Sequence, residues 1–352
     1  MNGDQSANEP IVVLLPLYND WESLRLLLVK LDGELARKGI LARVLVVDDG
    51  SSHQPADVFS WGPFESLASV EVLTLRRNLG HQRAIAIGLA YVEQHIDGRC
   101  VVVMDSDGED SPADVPRLLA RFDKEEGSKI VFAERTKRSE TLTFTAFYLL
   151  YKWLHFLLTG VHVRVGNFSI IPRSRLESLV VVSELWNHYA AAVFKSRQPH
   201  CSVPTRRAKR LAGHSRMNFV GLVIHGLSAL SVFSETIGAR LLILNLVVLV
   251  LALAGVIATV VLRLGMSVGI PGWATNVVGI LLIIILQTLM FTVLFCFGIL
   301  GGRQATAFIP RRDYTYFAGP LTTIYPRASV RNRDPLQATG CAIDPNGKTP
   351  VL

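Results

Sequence analysis

Asp105, Asp107 and Glu109 stand at alternate positions in the run Asp105-Ser106-Asp107-Gly108-Glu109-Asp110. In an extended or turning segment, alternation can aim several carboxylate oxygens at one hard ion. Clustered carboxylates repel, so they need a cation or hydrogen-bond donors. Mg2+ or Mn2+, bridging to diphosphate oxygens, is the natural partner. Two more polar pairs, Asn19-Asp20 and the acidic Asp48-Asp49, close apolar runs. For any single Asp the alternative is a turn or helix cap, and Asp110, beside Ser111-Pro112, fits it. The complementary charge is also clustered. Between Glu184 and Glu235 there is no acid, but there are Lys195, Arg197, Arg206, Arg207, Lys209, Arg210 and Arg216. Such a run suits phosphates or anionic headgroups. The alternative is topology alone, because basic residues collect on the cytoplasmic side of a membrane.

These residues need elements to position them. Ile11–Leu17, Val44–Val47, Val70–Leu75, Val101–Met104 and Ile130–Phe132 read as five short strands. Helical patterns fall between them, over Leu24–Leu35, Leu79–Ile96 and from Ser111 through Phe122. Continuous Val/Ile/Leu strands alternating with helices predict a parallel sheet covered on both faces. Ligands of such sheets bind outside the carboxyl ends of the strands. The first, second and fourth strands would then deliver their acids to one crevice, with Arg135 and Arg138 following the fifth. No GxxxxGK[ST] or GxGxxG element follows the first strand, so neither a P-loop nor a dinucleotide fingerprint is supported.

The chain has 352 residues, 50% hydrophobic and only 18% charged, against about 25% charged in a typical soluble domain. The deficit is local: residues 241–300 hold one charge, Arg263. Two apolar runs, 241–262 and 277–300, each reach the roughly 20 residues of a membrane helix. The link between them holds Pro271, Gly272 and Trp273, a turn with an interfacial aromatic. Basic residues flank both outer ends, so positive-inside counting puts the ends in the cytoplasm and the link outside. Core helices of a soluble protein are the alternative. Residues 141–160, rich in Phe, Leu and Trp, read as an interfacial helix resting in the headgroup layer, with a buried core helix as the alternative. The Met1–Pro10 segment has no basic signal-peptide region. The four cysteines form no CxxC pair, which argues against a disulfide framework or a zinc ribbon. The formal charge of +7 includes a tail, 301–352, with seven basic and three acidic residues. A nucleic-acid partner is not expected.

The expected organisation is a cytoplasmic catalytic domain over 1–216, a juxtamembrane amphipathic helix over 217–239 and a transmembrane hairpin over 240–301. A Pro- and Gly-rich, partly disordered cytoplasmic tail follows over 302–352.

Residues 12–240 resemble the family 2 glycosyltransferases, in particular the polyprenyl-phosphate sugar transferases of the dolichyl-phosphate mannose synthase type, including bacterial undecaprenyl-phosphate enzymes with two C-terminal membrane helices. The resemblance lies in an ordered set of motifs: Pro16-Leu17-Tyr18-Asn19, then Val46-Val47-Asp48-Asp49-Gly50-Ser51 for VDDGS. Asn78-Leu79-Gly80 through Ala84 stands for NxGxxxA, and Asp105 through Pro112 for DADLQDPP. Arg135 through Glu140 stands for RxxRxE, and Arg207 through Arg216 for RxxRxxGxS[KR]. Two positions depart: Glu109 replaces a Gln, and Gly166-Asn167-Phe168-Ser169 lacks the Arg of the family's G[DF]FR. The QxxRW motif of processive polymer synthases is absent.

The resemblance implies a GT-A fold, an α/β Rossmann-like unit with a mostly parallel sheet, followed by the two-helix transmembrane hairpin. It implies an inverting transfer of one sugar from a nucleotide-diphosphate sugar to a polyprenyl phosphate, in cell envelope glycan biosynthesis at the inner membrane. Donor contacts are expected from Pro16, Tyr18, Asn19, Asp20, Asp48, Asp49, Asp105, Arg207 and Arg210. Acceptor-phosphate contacts are expected from Arg135, Arg138, Ser215 and Arg216. Asp105, Asp107 and Glu109 are the expected metal ligands, and Asp107, Arg135 and Arg138 the expected catalytic residues. A lipid phosphate is largely anionic at pH 7, so no general base is required. His81 and His214 are therefore read as polar neighbours of the pocket. A hydroxyl acceptor on another lipid or a protein, a non-catalytic nucleotide-sugar-binding module, and a homo-oligomer remain open.

Overall fold

The computed structural model describes residues 9–53, 61–135, 152–161, 165–213, 219–265, 272–304 and 307–326. Arg138, His214, Ser215, Arg216, residues 141–151 of the expected interfacial helix and residues 327–352 of the tail lie outside them.

Strand β1 (Ile11–Leu17) leads to helix α1 (Trp21–Ala36), then β2 (Ala42–Asp48) and β3 (Leu67–Leu75). Helix α2 (His81–His95), β4 (Cys100–Val103), α3 (Val115–Lys124) and β5 (Ile130–Arg135) follow. After helix α4 (152–159) come β6 (Val165–Pro172), α5 (Arg173–Leu179), α6 (Tyr189–Lys195) and β7 (His200–Thr205). The eight-stranded sheet has the order β7-β5-β6-β4-β1-β2-β3-β8, in which β8 is Ala318–Pro326. Pairs β1–β2, β1–β4, β2–β3 and β5–β7 are parallel. Strands β6 and β8 run antiparallel to their neighbours.

Strands β1 and β2 are buried throughout, as strands covered on both faces must be. Alternate residues feed two cores. Val12, Leu14, Leu45 and Val47 pack with α2 and α6, while Ile11, Val13, Leu15, Val44 and Val46 pack with α1 and α3. Pro16, expected at the donor, lies within buried β1 opposite Val47.

Two turns set the carboxyl ends of β1 and β2. Asn19, at φ 56°, accepts the His53 N–H at 3.1 Å on its side-chain oxygen, and its own N–H donates to Ser51 Oγ at 2.8 Å. Asp48 accepts the Ser51 N–H at 3.0 Å. Gly50 is at φ 67°, and a Cβ there would stand 2.8 Å from backbone atoms of Arg77 and Asn78. Left-handed strain and that clash add, so Gly50→Ala should cost about 2 kcal/mol or more. In a domain of this size that lowers Tm by roughly 4–8 °C. Circular dichroism melts of the detergent-solubilised protein would show it, and an unchanged Tm would contradict the close approach.

Helix α7 (Phe219–Ser231) precedes two 32-residue helices, α8 (Ser234–Gly265) and α9 (Trp273–Gln304). The expected single juxtamembrane helix is thus divided. Val232 and Phe233 at the break are buried with Ala191, beside Val161, Phe194 and Ile237, which anchors α8 to the domain. Each of α8 and α9 spans about 48 Å at 1.5 Å per residue, enough to cross a bilayer, and both expected apolar runs fall inside them. The two pack together through Gly238 on Ile299 and Gly255 on Leu281. Their outer faces stay apolar and exposed, Leu251 at 66% and Phe297 at 70%, unlike the core helices of a soluble protein. The Thr259, Thr288 and Thr292 hydroxyls donate to carbonyls one turn back, and Thr259 and Thr288 are buried, so their polar groups are satisfied within their own helices.

Beyond α9 the chain returns to the domain, so residues 307–326 of the expected partly disordered tail are ordered on the sheet. The short helix α10 (Pro310–Asp313) leads to buried Tyr314, whose hydroxyl donates to Gln94 Oε1 at 3.0 Å and lies 2.8 Å from His95 Nε2. Phe308 stacks on Trp186 at 3.8 Å. Strand β8 then covers the open edge of β3. It contains Pro320 and Pro326, which an edge strand tolerates. Both ends of the α8–α9 hairpin therefore attach to the same domain.

Candidate active site

The turn after β4 carries the acids, and the basic loop after β7 lies directly on it. Backbone bonds join them: Ala208 N–H to Glu109 O at 2.9 Å and Leu211 N–H to Asp107 O at 3.0 Å. Gly108, at φ 82°, leaves room for Leu211; a Cβ at Gly108 would meet Leu211 Cγ at 2.4 Å. Ion pairs complete the clamp. Arg207 Nε donates to Glu109 Oε2 at 2.7 Å. Arg210 Nη1 donates to Asp107 Oδ2 at 3.1 Å, its Nη2 to Asp20, and its Nε to Ala212 O at 2.9 Å. Arg210 thereby ties the end of β1 to the end of β4, two strand ends expected in one crevice.

Below the turn, Arg135 Nη2 donates to Asp110 Oδ1 at 2.9 Å. The other Asp110 oxygen accepts the Asp105 N–H at 3.0 Å. Asp110 is therefore a buried brace of the turn and caps no helix. Arg135, expected at the acceptor phosphate, is turned to this brace, because a buried carboxylate with a charged neighbour needs its cation close by.

Electrostatics mark the turn as short of positive charge. Burial, reinforced by the Asp107 charge, raises the Asp105 carboxyl to about 6. Burial and the Asp105 charge raise Asp110 to about 6. Asp107 is also raised, chiefly by burial. Such a site gains from any added cation. The full expected triad of metal ligands is not assembled: among the described residues, no three acidic, His or Cys groups converge on one point. Glu109 Oε2 is paired with Arg207. Asp105 and Asp107 remain, two hard carboxylates on one turn, which fits Mg2+ or Mn2+ completed by substrate phosphates and water.

Asp49 sits across the crevice. Its two oxygens accept the Leu79 N–H at 2.7 Å and the Gly80 N–H at 2.8 Å, and burial raises its carboxyl to about 6. It holds the loop ahead of α2. Tyr18, at the end of β1, is 42% exposed and open to a ligand. His81, at the start of α2, is kept neutral by burial, with its Nε2 2.9 Å from Gln82 Nε2.

Sequence reasoning did not reach Gln82 and Asn167. Gln82 Nε2 donates to Asn167 Oδ1 at 2.9 Å. The available signal was the altered Gly166-Asn167-Phe168-Ser169 segment. Ser169, where the resemblance calls for Arg, is fully buried against the Tyr189 hydroxyl at 2.7 Å, which leaves no space for a guanidinium.

Residues 12–179 match the family described as Glycosyl transferase family 2. The undecaprenyl-phosphate 4-deoxy-4-formamido-L-arabinose transferase of Enterobacter sp. (strain 638) is 25% identical over 295 residues, covering 83% of this chain and 84% of that protein. The protein of the same name from Klebsiella pneumoniae subsp. pneumoniae is 26% identical, covering 82% and 83%. Glucosyl-3-phosphoglycerate synthase from Mycobacterium tuberculosis, solved with Mn2+, UDP-glucose and phosphoglyceric acid, is 17% identical with a TM-score of 0.48, covering 67% of this chain and 82% of that one. The mostly parallel α/β sheet, the ordered motifs and the sequence match agree: the chain carries a family 2 glycosyltransferase domain of GT-A type, with two long apolar helices behind it.

Proposed function

We propose that the chain transfers one sugar, with inversion, from a nucleotide-diphosphate sugar to a polyprenyl phosphate at the cytoplasmic face of the inner membrane. One observation carries this reading. An acidic turn at the carboxyl edge of the sheet is clamped to an arginine loop, and helix α7 and two membrane-length helices follow it in the chain. The curated relatives named as undecaprenyl-phosphate transferases support it.

In this reading Tyr18, Asn19, Asp20, Asp48 and Asp49 shape the nucleotide pocket, the last two by holding backbone turns. Asp105 and Asp107 would hold Mg2+ or Mn2+, which when bound neutralises the departing diphosphate. Arg207 and Arg210 lie where they can exchange carboxylate partners for diphosphate oxygens, each through a bidentate fork. Glu109 keeps Arg207 in place until then. Arg135 braces Asp110, and Arg138, Ser215 and Arg216 take the acceptor phosphate. An anionic acceptor needs positioning rather than deprotonation, in keeping with a neutral, hydrogen-bonded His81.

Helix α4 supports a membrane-facing acceptor side. Trp153 and Leu157 are 62% and 54% exposed, while His155 and Thr159 on the same helix are buried. Arg240, near the start of α8, donates to the Leu157 carbonyl at 2.7 Å. An apolar face turned outward beside the start of α8 suits the headgroup layer. The domains follow: 1–216 catalytic, 217–239 juxtamembrane, 240–301 a hairpin, and 302–352 a cytoplasmic extension whose first part closes the sheet.

The direct test is incubation of purified protein with undecaprenyl phosphate and a panel of UDP- and GDP-sugars. The lipid should gain the mass of one sugar with one donor; no gain with any donor would sink the reading. Topology has its own test. In a variant lacking the native cysteines, Thr275→Cys should react with an impermeant thiol reagent added outside intact cells, and Thr322→Cys should not. The reverse pattern would put the active site on the wrong side for a cytoplasmic donor.

A further inference from the structure

One guanidinium lies between the acids at the ends of β1 and β4. Arg210 Nη1 donates to Asp107 Oδ2 at 3.1 Å, and its Nη2 donates to Asp20. Arg207 serves Glu109 in the same way, through Nε and Nη2. The Arg210, Asp20 and Asp107 side chains are each only about a fifth exposed. A guanidinium stays charged throughout the pH range of a folded protein. The acidic turn therefore already carries cations, supplied by the chain itself.

These arginines ride on a backbone that is fixed independently of them. Ala208 and Leu211 donate their N–H groups to the Glu109 and Asp107 carbonyls. The Ala212 carbonyl accepts from Ser23 Oγ of α1 at 3.1 Å, and the Leu211 side chain packs against the core beneath α1 and α3. Where β7 ends, Arg117 of α3 donates to the Pro204 carbonyl at 3.1 Å. The loop can keep its place while its two long side chains change partners.

A second cation meets a cost at this turn. With Arg210 where it is, a divalent ion on Asp107 has a like charge a few ångströms away, and at about 5 Å that repulsion is worth on the order of tenfold in affinity even at the dielectric of water. With Arg210 moved aside, its bonds to Asp20 and Asp107 are lost. Either route opposes a metal ion that arrives alone. A nucleotide diphosphate reverses the balance. Its oxygens accept from the same guanidinium forks, and the carboxylates that the arginines leave then need positive charge.

We propose that Arg210, with Arg207 beside it, is the built-in counter-cation of the acidic turn: it opposes metal binding while the donor site is empty and passes to the donor diphosphate when that site fills, so that metal and nucleotide bind together. This rests on the reading of Asp105 and Asp107 as metal ligands under the proposed function, and adds to it a gate made of side chains alone.

The test is Mn2+ binding to the full-length protein in detergent, read from loss of the free-ion electron paramagnetic signal, without nucleotide and then with saturating UDP or GDP. Wild-type protein should bind Mn2+ at least tenfold more tightly with one of the nucleotides than without. Arg210→Gln is neutral but still able to donate to a carboxylate. Without nucleotide it should bind Mn2+ about tenfold more tightly than wild type, and its gain from nucleotide should shrink by the same factor. Arg210→Lys keeps the charge and should stay near wild type in the nucleotide-free arm. A purely structural Arg210 gives the opposite sign, because loss of a brace weakens the site. Circular dichroism checks the fold, and if Arg210→Gln does not fold, Arg207→Gln takes its place, with a gain of the same sign. Nucleotide-free affinity at or below wild type in the folded Gln variant, or wild-type affinity indifferent to both nucleotides, would overturn the counter-cation role alone. If neither wild type nor the Gln variant binds Mn2+ under any of these conditions, the metal reading falls and the gate with it.

Discussion

Asp107→Asn is expected to leave the protein folded and to lower turnover by about a hundredfold or more, the scale of losing one electrostatic stabiliser of a transition state. Folding should survive because the structural duties of Asp107 are light. Its Oδ1 accepts the Glu109 N–H at 2.9 Å, which the Asn oxygen can still do. Its Oδ2 shares Arg210 with Asp20, so the guanidinium keeps a carboxylate partner. What disappears is half of the two-carboxylate set on the turn. Glu109, the neighbouring carboxylate, pairs with Arg207 through Oε2. Sugar transfer measured at saturating donor and acceptor decides the matter. Near-wild-type turnover in the variant, or full wild-type activity in excess chelator, would reject a metal-binding role for this turn.

Arg210→Ala should have the second largest effect. Arg210 bonds to Asp20, to Asp107 and to the Ala212 carbonyl, and its side chain is 17% exposed. Without it, two carboxylates face each other with no cation between them, and the basic loop loses its tie to β1. Removing a charged hydrogen-bond partner at a largely enclosed site costs about 2 kcal/mol, roughly thirtyfold in kcat/KM for the nucleotide sugar. The lipid KM should change much less. Lys should rescue only part of the loss, because a single ammonium cannot reproduce the planar fork that serves three acceptors. Steady-state kinetics with each substrate varied in turn would separate the cases. A loss confined to the lipid would move Arg210 to the acceptor side and overturn the assignment of this loop to the diphosphate.

Much of this protein was legible in its sequence, for identifiable reasons. The unbroken apolar runs of β1, β2 and β4 announce strands covered on both faces, because only a parallel sheet between helix layers buries every residue of a strand. The single charge across residues 241–300 announces membrane-length helices, because hydrocarbon penalises charge at any position. The acids at the ends of β1, β2 and β4 could be placed in one crevice because ligand sites in such sheets lie beyond the carboxyl ends. Pattern and chain direction were sufficient for each of these.

What the sequence could not settle was pairing between residues far apart in the chain. Glu109 reads as a third ligand by spacing, but Arg207, 98 residues on, holds it. Asp110 reads as a helix cap by its neighbours, yet it braces Asp105 and Arg135 from below. Arg135 reads as a phosphate ligand by position, and its partner is that buried acid. Residues 318–326 carry prolines that suggest a loose tail, but the open edge of β3 offers unpaired backbone groups that a strand can satisfy. Gln82 carries no charge and stands in no acidic or basic pattern, and its partners are the Tyr189 N–H and the Asn167 amide, 107 and 85 residues away in the chain. By itself the sequence determined five of the eight strands, the apolar helices and the presence of an acidic and a basic cluster, since these follow from local periodicity and composition. Only the tertiary structure decided which acid meets which base, because hydrogen bonds and ion pairs depend on distances of a few ångströms between segments that sequence order does not relate.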